Sequence, residues 1–470
     1  MLEKSYDVIV VGAGPAGIFT ALELTAKRPE ARVLIVDMGR AIASRVCPMR
    51  TTGKCANCDP CAIVHGWAGA GAFSDGKLSL SPEVGGHISD YVGNAAAEKL
   101  IREADAQYMR FGAPDVVHGL NDPKVEELRY EASRYNIRLV PCPVRHLGTE
   151  HAGEVLGAMY SYLIENTNTT FAERTMAQDL LVEDGSIVGV TLKGHDGVET
   201  TCTASFVVAA PGRGGASWLT KQIQGLGLPT RNNEVDIGVR VEVPNAIMDH
   251  LTEHLYEAKL IYYADTYENK VRTFCMNPGG VVSEEHYEGG IAVVNGHSYG
   301  DASRRTGYTN FAVLVSTHFT EPFNQPIEYG RYIAQLGNML TGGPIMVQRL
   351  GDLLQGRRTD ATRLRKSTTV PTLATAVPGD LSFVIPSRHL TSIVEALKAF
   401  DKLAPGLYSR NTLLYGVEVK FYSSKVPVSS TFETAIKGLY AIGDGAGITR
   451  GLMQASCTGI AVARDIEARM

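Results

Sequence analysis

Residues 6–26 read "YDVIVVGAGPAGIFTALELTA" and predict a buried strand from Val8 to Val11, a tight glycine turn and a helix that begins at about Pro15. Residues 31–37, "ARVLIVD", predict a second buried strand that ends at Asp37. Strand, helix and strand in this order form a βαβ unit with parallel pairing. The beginning of the chain therefore predicts an α/β fold.

The turn between the first strand and the helix fits the pattern G-x-G-x-x-G, with Asp37 twenty residues after its last glycine. In this setting the first glycine permits the tight turn, the second admits a diphosphate, and the third lets helix and strand pack closely. The helix N-terminus offers N–H groups to the phosphates, and Asp37 can accept hydrogen bonds from a ribose. The predicted cofactor contacts here are Gly12, Gly14, Pro15, Ala16, Gly17 and Asp37. A purely structural glycine turn is the alternative.

Length and composition narrow the class of protein. The chain has 470 residues, of which 44% are hydrophobic and 20% charged, as in a globular protein of two or three folding units. The net charge of −5 and the lack of a basic block argue against a nucleic-acid partner. No signal-peptide pattern and no membrane-spanning run are visible, so we expect a cytoplasmic protein. Clustered cysteines in that compartment are typically metal ligands or redox-active thiols.

Strand and helix patterns divide the chain into two domains. We expect residues 1–234 and 371–470 to form a discontinuous dinucleotide-binding domain, which contains an antiparallel meander at residues 170–210. Residues 235–370 are predicted to be an inserted α+β substrate or cap domain. In it we expect strands such as "IGVRVEVP" (residues 237–244) and helices at "NFAVLVSTHF" (residues 310–319) and "PIEYGRYIAQLGNML" (residues 326–340).

Two motifs at opposite ends of the chain carry a family resemblance. "DVIVVGAGPAG" (residues 7–17) and "GLYAIGDGAG" (residues 438–447) resemble the paired signatures of flavoproteins with two dinucleotide-binding domains. "GAGAFSDGKLSL", "VPGDLSFVIP" and "YGVEVKFYSSKVPV" are similar to FAD-dependent dehydrogenases whose substrates are largely unassigned. The resemblance implies FAD as cofactor and a Rossmann-like FAD-binding domain of the GR2 or p-hydroxybenzoate-hydroxylase type.

The resemblance also implies further FAD contacts. Asp444 takes the position of the aspartate near the ribityl and pyrophosphate groups, and the loop at residues 66–77 takes the position that covers the flavin ring. The implied contacts are Gly69, Gly71, Ser74, Gly212, Gly443, Asp444, Gly445, Ala446 and Gly451. Lys420, Arg450 and Met453 depart from the family pattern. No second complete strand, G-x-G-x-x-G and helix unit is present, so NAD(P)H is expected at most as a transient reductant, and an electron-transfer protein is the other candidate.

Four of the eight cysteines lie in one short segment, as Cys47, Cys55, Cys58 and Cys61. The spacing C-x7-C-x2-C-x2-C matches the short loops that bind a [4Fe–4S] cluster, and we assign these cysteines as its ligands. A structural zinc, a thiol–disulfide relay and inert packing are the alternatives. Cys142, Cys202, Cys275 and Cys457 are scattered and need no role.

Candidate catalytic residues follow the cysteines. Lys77 is expected to stabilise an anionic reduced flavin, and His65 is a candidate proton donor. Arg240, Arg272 and His297 are candidates for binding a substrate anion. An exposed lysine and ordinary structural residues are the alternatives.

The sequence predicts an FAD-dependent oxidoreductase that moves a hydride or an electron pair between flavin and an unidentified small molecule, with an iron–sulfur cluster as a candidate relay. A flavin and iron–sulfur electron-transfer protein and a flavin-dependent thiol–disulfide oxidoreductase are the alternatives. A third is a binding or folding protein that uses FAD structurally.

Overall fold

A computed structural model of the chain describes residues 2–52, 55–149, 151–287, 289–299, 301–320 and 322–470. These residues form two compact units. The first unit comprises the chain up to Val116, Arg145–Asn233 and Tyr422–Met470, and the second comprises Val117–Val144 and Glu234–Phe421. None of the described helices combines the length and the apolar character that crossing a bilayer requires.

The strands are β1 Val8–Val11, β2 Val33–Val36, β3 Lys77–Ser79, β4 Arg138–Val140, β5 Val144–His146, β6 Thr169–Ala172, β7 Thr175–Glu183, β8 Ser186–Gly194, β9 Glu199–Thr203, β10 Phe206–Ala209, β11 Val235–Pro244, β12 Lys259–Tyr263, β13 Lys270–Asn277, β14 Val281–Tyr287, β15 Ile291–His297, β16 Tyr308–Thr317, β17 Met346–Arg349, β18 Val377–Pro378, β19 Leu413–Phe421 and β20 Leu439–Ala441.

The α-helices are α1 Pro15–Lys27, α2 Met49–Thr52, α3 Ser89–Val92, α4 Asn94–Arg110, α5 Pro123–Ser133, α6 Ala152–Asn166, α7 Ala216–Gly225, α8 Asn245–Leu255, α9 Pro326–Thr341, α10 Leu350–Leu353, α11 Ala361–Arg365, α12 Ser387–Phe400 and α13 Leu452–Arg469. Short 3-10 helices cover Ile42–Ser44, Gly69–Phe73, Ala302–Arg304, Leu381–Phe383 and Asp444–Ala446.

The first unit is built on a five-stranded parallel sheet with the strand order β20-β10-β1-β2-β6. β1, β2 and β10 are buried along their whole length; α1 packs on β1, and β8 packs on β10. The α/β class, the βαβ unit and the strand bounds Val8–Val11 are confirmed.

A three-stranded antiparallel meander, β7-β8-β9, precedes β10 in the first unit. Its turns lie at Asp184-Gly185 and Asp196-Gly197, where both glycines and Asp184 have positive φ. The predicted meander is therefore confirmed for residues 175–203, and residues 170–172 instead belong to β6 of the parallel sheet.

The second unit is built on an eight-stranded mixed sheet with the order β18-β17-β19-β11-β16-β13-β12-β4. The odd positions of β11, Val235 to Val243, join an apolar core on one side of this sheet. Its even positions Asp236, Arg240 and Glu242 point to the other side and are also fully buried. On β11 one face is therefore apolar and the other carries charged residues, and both are buried.

The polar face is held together by a buried ion pair. Arg240 donates two hydrogen bonds, of 2.8 and 2.9 Å, to the carboxylate of Glu418, and both side chains have no exposed surface. Arg240 also donates to Asn310 Oδ1 at 2.8 Å and to the carbonyl oxygen of Cys275 at 3.1 Å. These bonds satisfy a guanidinium that could not otherwise be charged inside a sheet.

The second unit differs from the predicted insertion at both ends. It continues to Phe421 rather than to residue 370, because β19 lies between β11 and β17 in the middle of the sheet. It also includes residues 117–144, because β4 pairs with β12 at the sheet edge. Residues 310–319 were predicted as a helix, and this prediction is wrong, because β16 runs from Tyr308 to Thr317. This strand is buried along most of both faces. Its apolar run therefore lacks the alternation of polar and apolar residues that marks a half-exposed strand.

The buried ion pair generates the first testable prediction. Replacing Glu418 with Ala leaves the Arg240 guanidinium buried without its carboxylate, and we expect the free energy of unfolding of the second unit to fall by about 3–5 kcal/mol. The measurement is urea unfolding at neutral pH. The double change Arg240→Met with Glu418→Leu is the control, since it removes both charges and is expected to recover most of the loss. A Glu418→Ala protein as stable as wild type would contradict this role.

A buried histidine on α12 generates the second prediction. His389 is 4% exposed, its Nε2 lies 2.8 Å from Thr317 Oγ1, and its Nδ1 is buried without a hydrogen-bond partner among the described residues. Burial lowers the pKa of His389 to about 4, and the nearby Arg388 acts in the same direction. The native state therefore keeps this imidazole neutral at a pH where the unfolded chain is protonated.

The pKa of His389 is lower in the folded protein than in the unfolded chain, where it is near 6.5. Its contribution to the free energy of unfolding is therefore complete above about pH 6.5 and is lost as the pH falls toward 4. We expect wild type to lose about 2 kcal/mol more unfolding free energy between about pH 7.5 and about pH 5 than His389→Gln. Urea unfolding at the two pH values checks this. The exposed His195→Gln is the control and keeps the wild-type pH dependence. Equal slopes for wild type and His389→Gln would contradict the assignment.

Candidate functional site

The candidate site lies at the carboxyl edge of the parallel sheet in the first unit. The chain leaves β1 toward β2 on one side, while β10 pairs on the other side of β1. Ligands of open parallel sheets bind at such a switch point, outside the carboxyl ends of the strands. The turns that follow β1, β10 and β20 come together there, beside the loop at residues 61–73.

The three glycines after β1 have different surroundings. A Cβ on Gly12 would collide with the carbonyl oxygen of Ala210, and a Cβ on Gly17 would collide with the Gly12 carbonyl and lie 2.9 Å from Val10 Cγ1. A Cβ on Gly14 would meet no atom within 4 Å. Gly12 and Gly17 are thus required by packing within the protein, whereas Gly14 faces open space at the first turn of α1. The space fits an approaching diphosphate.

Asp37 connects this turn to two other segments. Its Oδ2 accepts a hydrogen bond from the amide of Ala13 at 3.0 Å, and its Oδ1 accepts from the amides of Gly39 at 2.8 Å and Gly66 at 2.7 Å. The predicted ribose ligand is therefore also a structural anchor. Since each carboxylate oxygen has more than one lone pair, these bonds leave capacity for a further donor.

The loop at residues 61–73 runs along the glycine turn. The amide of Ala68 donates to the carbonyl of Ala13 at 2.7 Å, and a Cβ on Gly69 would lie 3.5 Å from Gly14 Cα. Trp67 holds the loop against α6: its side chain is fully buried, and its Nε1 donates to the carbonyl of Leu156 at 2.8 Å. The loop expected to cover the flavin ring thus borders the open space at Gly14.

Arg45 shapes the same loop and was missed by the sequence analysis. Its guanidinium is 6% exposed and donates to the carbonyl oxygens of Ala62 at 3.0 Å, Ile63 at 2.7 Å and Trp67. Burial lowers the pKa of Arg45 to about 10, although Asp37 and Cys61 act to raise it. Because its hydrogen-bond partners are backbone carbonyls, no residue pattern in the sequence announces this role.

The turns after β10 and β20 complete the edge. A Cβ on Gly443 would lie 3.2 Å from Ala16 Cβ, and a Cβ on Gly445 would lie 3.0 Å from Gly212 N. Asp444 Oδ1 accepts from Thr449 Oγ1 at 2.6 Å, and its Oδ2 lies 3.8 Å from Arg213 Nε. The structure therefore brings the predicted late motif to the start of α1, where Pro15 and Ala16 begin the helix.

Three other predicted contacts lie at the same edge. A Cβ on Gly71 would lie 2.8 Å from Leu452 Cδ2, at the first residue of α13, and 3.7 Å from Pro15 Cγ. Gly451 precedes that helix as its N-terminal cap residue. Ser74 uses its hydroxyl inside its own turn, where it donates to the Gly71 carbonyl and accepts from the Gly76 amide.

Both candidate catalytic residues are held in place. Lys77 begins β3, and its ammonium lies 3.1 Å from the Asp75 carboxylate, with side chains only 9% and 12% exposed. His65 is half-buried, and its ring packs on the turn after β10, where a Cβ on Gly214 would lie 2.9 Å from His65 Nε2. Lys77 is therefore an ion-paired residue rather than an ordinary exposed lysine.

The four clustered cysteines are free thiols. Cys55 and Cys58 are exposed, and Cys47 and Cys61 are half-buried. Among the residues that the structure describes, no group of three or more His, Cys, Asp or Glu side chains could hold a metal ion. The predicted four-thiolate [4Fe–4S] site at these cysteines does not fit this arrangement, because a cluster requires its ligands to converge.

The candidate anion-binding residues lie in the second unit. Arg240 is fully occupied by Glu418 and its other partners, and Arg272 lies 2.5 Å from the buried Asp236. Lys420 lies 3.2 Å from Glu418 and 3.4 Å from Glu285. His297 ends β15. Arg240, Arg272 and Lys420 thus each have a carboxylate partner.

Comparison with known protein families gives two matches along the chain. Residues 84–233 match the FAD binding domain, and residues 234–421 match the family described as "FAD-dependent protein, C-terminal domain-like". The second match has nearly the same bounds as the long segment of the second unit, Glu234–Phe421.

One relative and two solved structures illustrate the range of similarity. An uncharacterized protein of Clostridium beijerinckii is 26% identical over 97% of this chain and 80% of its own. Quinol fumarate reductase of E. coli is 15% identical, with a TM-score of 0.41 over 100% of this chain and 71% of that one. Formate oxidase of Aspergillus oryzae is 12% identical, with a TM-score of 0.45 over 100% of this chain and 99% of that one.

The family matches and the parallel sheet with its glycine turns agree on the cofactor and the fold. Both matched families are described by FAD, and neither description names NAD(P)H. Residues 84–233 are thus similar to an FAD binding domain and residues 234–421 to the C-terminal domain of FAD-dependent proteins, and the first unit has a Rossmann-like parallel sheet.

Proposed function

We propose that the protein is an FAD-dependent oxidoreductase that transfers a hydride or an electron pair between flavin and a small-molecule substrate. The observation that carries this proposal is the contrast between the packed positions Gly12 and Gly17 and the open position Gly14. Gly14 has a φ of −78°, so neither its backbone conformation nor its surroundings in the protein require a glycine. A diphosphate that approaches the backbone at this position does.

The diphosphate would lie at the N-terminus of α1, where Pro15 lacks an N–H and the amides of Ala16 and Gly17 have no intrahelical acceptor. No acidic side chain lies in that first turn, so no carboxylate of the helix itself opposes the partial positive charge of its N-terminus. Asp37 would accept a hydrogen bond from the ribose in addition to the three amides that it already binds.

Residues from three more segments would complete the site. The 3-10 helix Gly69–Phe73 would border the flavin, with Gly69 and Gly71 presenting backbone and Ser74 shaping the turn. Gly212 and the turn at Gly443, Asp444, Gly445 and Ala446 would close on the opposite side, and Gly451 at the start of α13 would complete the edge. Bound FAD supplies the two-electron chemistry, and the protein orients it and excludes water.

Lys77 is proposed to supply positive charge toward the flavin ring. Its pairing with Asp75 fixes the ammonium in one place, and burial of both side chains strengthens their electrostatic effect on nearby groups. His65 is proposed as the proton donor, since its ring lies on the turn that carries Gly214. The second unit is proposed to bind the substrate. With Arg240 committed to Glu418, Arg272 is the better candidate there, because its side chain keeps 17% of its surface exposed.

The test of the proposal uses the difference between Gly14 and Gly12. We expect Gly14→Val to fold like wild type, because its side chain enters empty space, but to keep less than about a tenth of the FAD, because the side chain blocks the diphosphate. Gly12→Val is expected to destabilise the first unit itself, since its Cβ collides with the Ala210 carbonyl. FAD content from the visible spectrum and circular dichroism of the folded chain are the two measurements.

Gly225→Val is the matched control, because Gly225 also has no neighbour within 4 Å of an added Cβ but lies at the end of α7. It is expected to keep full FAD content. A Gly14→Val protein that binds stoichiometric FAD would show that the diphosphate does not approach this turn.

A further inference from the structure

The cysteine segment between β2 and the 3-10 helix Gly69–Phe73 is not used by the proposed FAD site. Of the eight cysteines, Cys55 and Cys58 are the exposed ones, and Cys61 and Cys47 are half-buried. Cys142, Cys202 and Cys457 are buried, and Cys275 lies in the second unit. The thiols that solvent and other molecules reach most readily are therefore concentrated in a single loop.

Spacing makes Cys58 the centre of this group. Two residues separate it from Cys55 on one side and from Cys61 on the other. C-x-x-C is the spacing at which a short loop closes a redox-active disulfide. Two C-x-x-C spacings thus share Cys58, and only one of the two corresponding disulfides can exist at a time.

The two possible partners differ in their surroundings. Cys55 is exposed, and its sulfur lies 3.6 Å from Asn57 Oδ1. Cys61 begins a turn in which its carbonyl accepts the amides of Val64 at 3.2 Å and His65 at 3.0 Å. An outer pair with Cys55 would face solvent, and an inner pair with Cys61 would belong to the ordered loop.

Arg45 joins the inner end of this group to the glycine turn. Its guanidinium holds the carbonyls of Ala62, Ile63 and Trp67 and stacks on Phe73 with its Cζ 4.8 Å from the ring centre. Ala62 and Ile63 directly follow Cys61, so the hydrogen bonds from Arg45 fix the backbone next to this thiol. The loop thus combines exposed thiols, a fixed inner thiol and a buried cation.

We propose that this loop is a thiol–disulfide exchange site in which Cys58 is shared between an outer disulfide with Cys55 and an inner disulfide with Cys61. Its substrate class is an external disulfide. A two-electron link between the inner pair and bound FAD rests on the proposed function, whereas the exchange itself does not.

The exchange balances without another reagent. The Cys58 thiolate attacks one sulfur of the external disulfide, whose S–S bond breaks, and the other external sulfur leaves and takes up a proton. Cys61 or Cys55 then attacks the Cys58 sulfur of the mixed disulfide and releases the second external sulfur as a thiol. Two cysteine thiols become one disulfide, and one external disulfide becomes two thiols.

To test this, the holoenzyme is equilibrated in anaerobic buffers of reduced and oxidised glutathione. The remaining thiols are then alkylated and counted by mass spectrometry of peptides. We expect two thiols of the loop to disappear together in wild type. Cys55→Ser keeps a Cys58–Cys61 pair, Cys61→Ser keeps a Cys55–Cys58 pair, and Cys58→Ser loses both. Cys275→Ser is the control and behaves as wild type.

The source of the disulfide is distinguished by a second arm. Oxidised glutathione and disulfide-bonded insulin are each added to the reduced protein, and the rate of loop oxidation is measured. Faster oxidation by glutathione identifies a low-molecular-weight substrate, and faster oxidation by insulin identifies a protein disulfide. Wild-type oxidation by either at least about tenfold faster than that of Cys58→Ser supports the proposal.

Three results would overturn it. They are independent glutathione adducts on single cysteines without pairing, unchanged pairing in Cys58→Ser, and stoichiometric zinc or iron that protects the loop thiols from alkylation. The visible spectrum recorded on each sample reports FAD separately, so loss of pairing with full flavin content refutes the exchange site but leaves the proposed function intact.

Discussion

The arrangement of the first unit depends on one carboxylate. Asp37 receives the amides of Ala13, Gly39 and Gly66 and so joins the end of β2 to the glycine turn and to the loop after the cysteines. A single acidic side chain can do this because an ionised carboxylate accepts hydrogen bonds through both oxygens. Gly69 lies close to Gly14 in this arrangement, at the border of the open space beside the turn. The residue expected to recognise ribose therefore also joins the segments that border this space.

The second unit contains charged residues inside its sheet. Its central strand β11 is buried on both faces but carries charged residues on one of them. Arg240 pairs with Glu418 and Asp236 pairs with Arg272, whereas Glu242 accepts hydrogen bonds from Thr372 and Tyr415. Polar groups removed from water need an opposite charge or hydrogen-bond partners of this kind. The charged side chains of β11 thus form a hydrogen-bonded layer inside the second unit.

Features set by residues close together in the sequence were predicted correctly, whereas contacts between distant segments were not. The turn at Gly12, Gly14 and Gly17 and the strand before Asp37 were predictable, because their geometry is set by neighbouring residues. The place of β19 in the second sheet was not, since an apolar strand does not specify its partner. The role of Arg45 was invisible for a similar reason, because its partners are carbonyl oxygens that every residue possesses. The cysteine spacing suggested a cluster, but spacing alone does not make ligands converge.

The alternation of the two units along the chain has a consequence for biosynthesis. The chain changes units after Val116, Val144, Asn233 and Phe421, and β19, which ends at Phe421, lies inside the second sheet. The ribosome must therefore release the chain as far as Phe421 before the second sheet can close, and β20 and α13 emerge later still to finish the first. Apolar segments of both units are thus exposed on the nascent chain for most of this synthesis and are prone to aggregate during it.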